Sequence, residues 1–150
     1  VSAARERVLA VCGVAFGAMW LFAAAAKTIR PVAAFELVSR ATPPGVSPKL
    51  VVAGAVAAEA FLGAAMCMRA VKSLRWSLAG LALATAALLS MRIQAGPKFH
   101  CGCFGTTLGA TVDEALVRNA VLVVVHVGLM VWARTTAQPV VGGVAGGRPR

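Results

Sequence analysis

Four stretches of this chain are long, apolar and almost free of charge, and they leave few folds open. Residues 8–26 carry no charged side chain, and residues 50–68 carry only Glu59. Residues 76–91 lie between Arg75 and Arg92, and residues 119–133 follow Arg118. An α-helix rises about 1.5 Å per residue and the hydrocarbon core of a bilayer is about 30 Å thick, so about 20 apolar residues cross it. The first two runs meet that length. The last two are shorter, and reach it when flanking arginines snorkel to the interface and the final run begins near Ala115. The runs are alanine-rich and do not alternate, which disfavours strands. The expected fold is all-α: an integral membrane four-helix bundle over residues 1–134. The Gly-, Val- and Pro-rich tail at 135–150 reads as disordered.

Composition agrees: 59% of residues are hydrophobic and 13% charged, against about 45–50% and about 25% in soluble domains. A net charge of +10 in a soluble protein would suggest nucleic acid. Here the basic residues stand between apolar runs and tyrosine is absent. The lipid bilayer, not nucleic acid, is therefore the expected partner of these charges. A rival reading makes residues 8–26 a signal peptide, with Arg5 and Arg7 ahead of it and small residues at 23–26 before Lys27. The apolar run exceeds the usual h-region of about 7–15 residues, which favours a retained helix.

The first connection holds Pro31 and the turn Pro43-Pro44-Gly45, and between them PVAAFELVSR is expected to form a short interfacial helix with Pro31 in its first turn. Residues 69–75 form a short second connection with three basic residues, and residues 92–114 a long third one. Basic residues divide almost evenly between the two sides, but their density at 69–75 places that connection and both termini on the cytoplasmic side. Small residues are the expected packing positions: Gly13 and Gly17 in a G-x-x-x-G, and Gly54, Ala58 and Ala65 on the second helix.

The third connection reads KFHCGCFG at residues 98–105. With both termini inside, Cys101 and Cys103 face the extracytoplasmic side, where disulfides form and persist. Positions i and i+2 reach the Cα separation of a disulfide, about 4.4–6.8 Å, only in a bent backbone, which Gly102 permits. Strained, exposed disulfides are the exchange-prone ones. Lys98 and His100 favour the thiolate, the attacking form. The pair therefore suits thiol–disulfide exchange. Two other readings stay open. His100 with the two cysteines offers three soft ligands to a membrane transporter of metal or small solutes, although tetrahedral sites usually need four, so no metal is assigned. Alternatively, the disulfide only braces a loop in a structural subunit. Cys12 and Cys67 lie inside apolar runs near the opposite face. They read as small buried apolar residues, with a second redox pair as the sharper alternative.

Glu59 and His126 stand near the middle of their runs, at matching depth on different helices. An ionisable group there is costly and usually faces a partner in the bundle interior. The two are expected to be able to meet, as a proton relay, as a polar contact for the head group of a membrane quinone, or as a neutral contact that sets helix register. Lys27 and Arg118 lie nearer the cysteine-side face, where they can snorkel or balance a carboxylate or thiolate.

KTIRPVAAF at 27–35, Glu59 and Gly63 in AAEAFLG, CGCFG at 101–105, and Arg118-Asn119 at the start of the last run carry a family likeness. Over residues 8–134 the chain resembles the methylamine-utilisation MauE family, related to DoxX-like membrane proteins. CGCFG is the most specific of these elements. The resemblance implies four membrane helices in a bacterial cytoplasmic membrane. It also implies a role in maturing the disulfide-rich small subunit of methylamine dehydrogenase, beside a thioredoxin-like protein. Relatives also occur in bacteria without that pathway, as general thiol-redox partners. It further implies Cys101 and Cys103 as the redox pair and Glu59 and Lys27 as functional polar positions.

Overall fold

The computed structural model describes residues 3–68, 70–96, 98 and 111–135. Every element in them is an α-helix: α1 (Ala3–Ile29), α2 (Val32–Ala41), α3 (Pro48–Met68), α4 (Ala70–Ala95) and α5 (Val112–Thr135). Among the described residues, four stretches are long and apolar enough to cross a membrane: Ala3–Ile29, Pro48–Met68, Ser73–Gln94 and Val112–Arg134. The last two apolar runs are therefore longer as helices than as charge-free sequence. Arg75, Arg92 and Arg118 are absorbed into them, because a long basic side chain can lay its stem on apolar surface and carry its charge outward. The expected second connection at 69–75 is corrected accordingly: residues 70–75 already belong to α4. Residues 136–150, the expected tail, lie outside the described residues.

Local chemistry explains where the helices start and stop. Pro31 stands at the N-cap of α2, one step earlier than expected, and its carbonyl accepts from the Phe35 N–H at 2.9 Å. The turn that follows α2 closes with Val46 N–H on the Pro43 carbonyl at 3.3 Å. Gly45, at φ +95°, takes the left-handed position that a type II turn requires after Pro44. Pro48 then opens α3 at the first helical position, where a missing N–H costs nothing. Gly96, at φ +93°, ends α4, with its N–H on the Arg92 carbonyl at 3.1 Å. A capping box starts α5. Glu114 N–H donates to Thr111 Oγ1 at 3.3 Å, and Thr111 N–H donates to Glu114 Oε2 at 2.7 Å. T-V-D-E at 111–114 is the sequence signature of that box, and it sets the helix start at Val112 rather than near Ala115.

The helices run alternately up and down. On α4 and α5 the partners Arg92–Asp113, Thr85–Asn119 and Ser77–His126 descend one helix as they climb the other. α1 packs most closely on α3, while α4 touches each of the other four helices. Close approach of α1 and α3 rests on Gly17 and Gly63. A Cβ at Gly17 would stand 2.8 Å from the Gly63 carbonyl oxygen and 2.7 Å from Cys67 Sγ. A Cβ at Gly63 would stand 2.9 Å from the Gly17 carbonyl oxygen. Gly54 is not a packing position: its missing Cβ faces open space. Large side chains such as Phe61, Leu83 and Val124 point outward, more than 70% exposed. A bundle solvated by acyl chains can carry such a surface, because lipid is as apolar as leucine.

Candidate functional site

One end of the bundle gathers the C-terminal ends of α1 and α4, the N-terminal ends of α3 and α5, and all of α2. Beneath α2 the helices part around a cavity of about 230 Å³. Alanines make the room: Ala23 of α1, Ala34 of α2, Ala55 of α3 and Ala84 of α4 all line it. α2 supplies its buried side, Ala34, Leu37 and Val38, as a lid over the gap. Leu37 and Leu88 belong to one apolar cluster with Val112 and Ala115, and Val38 joins Val52 in a second. These two clusters fix α2 to α3, α4 and α5 around the cavity.

The cavity is apolar except where Lys27, Glu59, Arg118 and Asn119 enter it. Lys27 comes from the last turn of α1 and Glu59 from the middle of α3. Lys27 Nζ donates to Glu59 Oε1 at 2.7 Å and to Oε2 at 2.8 Å, with the side chains 10% and 16% exposed. Neither charge could sit at this depth alone, since an isolated ion there costs several kcal/mol, on the order of the penalty for a buried ion. Antiparallel packing of α1 on α3 lets the long lysine stem reach back to the carboxylate. Asn119, buried, donates from Nδ2 to Thr85 Oγ1 at 3.5 Å, and that hydroxyl donates to the Leu81 carbonyl at 2.7 Å.

His126 does not join this group, which corrects the expected meeting with Glu59. It sits farther along α5, fully buried against α4. Its Nδ1 lies 2.9 Å from the Leu122 carbonyl, which can only accept, so Nδ1 carries a proton, and in the neutral ring Nε2 is the acceptor. In that tautomer Ser77 donates its hydroxyl to Nε2 at 2.9 Å, and Trp20 Nε1–H donates to Ser77 Oγ at 2.9 Å. The Phe16 ring packs on the imidazole at 3.9 Å between centroids. With the neutral Nδ1–H tautomer, each polar side-chain atom of this network has a partner. Trp20 and Leu122 also line the cavity, so the network forms the layer directly beneath it.

Ser77 and Trp20 went unread in the sequence. The available signal was a hydroxyl one residue inside an apolar run, and an indole N–H that must find an acceptor once buried.

Cys12 and Cys67 carry free thiols towards the opposite end of the bundle, Cys67 exposed and Cys12 half-buried. His100, Cys101 and Cys103 lie outside the described residues. The chain that carries them joins Gly96 at the end of α4 to Thr111 at the start of α5. At its base, Arg92 Nε pairs with Asp113 Oδ1 at 2.7 Å, both about half exposed.

A comparison with family models matches residues 5–133 to one described as methylamine utilisation protein MauE. No curated protein and no solved structure matches the chain.

Proposed function

The chain belongs to the methylamine utilisation MauE family, and from that premise we propose that it is a multi-pass membrane thiol–disulfide redox component. Cys101 and Cys103 are its exchanging pair, on the extracytoplasmic side of a bacterial cytoplasmic membrane. Their partner is a thioredoxin-like protein or a maturing extracytoplasmic protein rich in cysteine. The observation that supports this best is positional. Gly96 and Thr111, which bracket the two cysteines, stand at the bundle end that also holds the cavity and the Lys27–Glu59 pair. A thiolate gains from cations nearby, and Arg118 and Lys98 belong to the same end of the chain path.

Exchange proceeds by attack of one thiolate on a partner disulfide, giving a mixed disulfide and a released partner thiolate. The second cysteine then attacks the mixed disulfide, forming the Cys101–Cys103 bond and releasing the reduced partner. Run in reverse, the direction that feeds an electron acceptor, a partner dithiol becomes a disulfide and leaves Cys101 and Cys103 as thiols. Single replacement arrests the reaction at the mixed stage. Cys103→Ser or Cys101→Ser is expected to accumulate a covalent adduct with an extracytoplasmic protein, visible by non-reducing electrophoresis and lost with reductant. No adduct in either variant overturns the reading. Labelling of Cys101 and Cys103 in intact cells with a membrane-impermeant maleimide tests their side.

A further inference from the structure

We infer that the cavity beneath α2 binds the ring of a lipid-soluble quinone, which serves as electron acceptor for the pair proposed above, and the electron-transfer half rests on that reading. The site itself is made of described residues: Trp20, Lys27, Glu59, Arg118 and Asn119 around an otherwise apolar wall.

Three observations converge. The cavity is lined by the four stretches able to cross a membrane and by α2, which suits an occupant that is apolar overall and dissolves in lipid. Its volume, about 230 Å³, exceeds the roughly 150 Å³ in which an apolar cavity holds benzene, so one substituted six-membered ring fits. Its polar side chains cluster on α1, α3 and α5. The ammonium, guanidinium and amide there are N–H donors suited to ring oxygens, and the carboxylate can pass a proton. Lys27 is already balanced by Glu59 at 2.7 Å, which suits a neutral oxygen acceptor better than a phosphate.

The chemistry of a thiol pair narrows the class further. Oxidising two thiols to a disulfide breaks two S–H bonds, forms one S–S bond and releases two electrons and two protons. A quinone takes both electrons and both protons to become a quinol, and it dissolves in the bilayer. Dithiol and quinone thus give disulfide and quinol with atoms and electrons balanced.

The test uses the full chain in phosphatidylcholine nanodiscs with decylubiquinone as probe. Trp76 and Trp132 are exposed, so Trp76→Phe/Trp132→Phe leaves Trp20 as the only indole. Decylubiquinone is expected to quench Trp20 saturably, at about one probe per chain, and Ala84→Phe, which fills the cavity, to weaken binding by about tenfold or more. A photoactivatable quinone analogue on the unaltered protein should label the cavity walls on α1 and α3. Quenching that rises linearly without saturation overturns the site. So does labelling spread over lipid-facing positions such as Phe61 and Leu83, or equal competition by palmitate. Reduced protein should yield one quinol per disulfide, and Cys101→Ser/Cys103→Ser should bind the probe without reducing it. Binding without reduction by the unaltered protein overturns the acceptor role. A trapped mixed disulfide with no quinone binding removes this inference alone, whereas quinone binding with no trapped partner removes the proposed exchange and the acceptor role with it, and leaves the binding site standing.

Discussion

Lys27 and Glu59 hold each other across the cavity wall through both carboxylate oxygens, at 2.7 and 2.8 Å, on the two helices that pack most closely. The bond joins the last turn of α1 to the middle of α3 and brings two charges into an apolar surround at no net charge.

Removing one partner therefore leaves the other stranded. Glu59→Ala is expected to cost about 3–5 kcal/mol, the usual loss when half of a buried pair is deleted. The double replacement Lys27→Met/Glu59→Leu should cost much less, because no lone charge remains. Thermal unfolding of single and double variants in detergent checks this. A double variant as unstable as Glu59→Ala would show that the pair is not the stabilising unit.

The Trp20–Ser77–His126 chain makes a similar prediction with neutral groups. Ser77→Ala strands an indole N–H and an imidazole Nε2 in the interior, at about 1–3 kcal/mol for each buried group left unsatisfied. With every atom of the chain satisfied, its role is to set the register of α4 against α1 and α5. Ser77→Ala should accordingly lower the unfolding temperature yet leave mixed-disulfide trapping through Cys101 intact. Abolished trapping in a folded Ser77→Ala protein would instead make the network part of the redox machinery.

Glycine positions separate by what faces them. Gly17→Ala puts a methyl 2.7 Å from Cys67 Sγ and 2.8 Å from the Gly63 carbonyl oxygen, and overpacking of that kind costs about 1–3 kcal/mol. Gly54→Ala meets nothing within 4 Å and should be neutral or stabilising by up to about 1 kcal/mol, the helix preference of alanine over glycine. Equal effects at the two sites, read by unfolding in detergent, would remove Gly17 from the α1–α3 contact.

The start of α5 is held by two devices of unequal weight. Thr111→Val deletes the cap hydroxyl and should cost about 1 kcal/mol, with faster amide exchange at Glu114, whose N–H that hydroxyl accepts. Asp113→Asn breaks an ion pair that is half exposed and should change stability by about 1 kcal/mol or less. Exchange rates at the first turn of α5 in each variant rank the two.

Much of this was legible from residue types alone. Charge-free length identified the four helices able to cross a membrane, Pro31 marked the start of the short helix α2, and Pro44-Gly45 marked the turn after it. CGCFG and its neighbours pointed to the family that the match over residues 5–133 establishes. T-V-D-E and Gly96 carried the true ends of α5 and α4, and a reading by apolar run alone passed over them.

Sequence alone determined which polar residues lie inside the apolar runs, because that is counted along one helix. Tertiary structure alone decided who meets whom. Counted along their runs Glu59 and His126 match, yet His126 lies one layer below the cavity that Glu59 enters. Glu59 takes Lys27 because α3 lies on α1, and His126 takes Ser77 because α5 lies on α4. The reason is the solvent. In water a helix advertises its inner face by polarity, but in lipid both faces are apolar. Neighbour and rotation are then set by where small residues let backbones approach, as Gly17 and Gly63 do, and that is a property of two surfaces together.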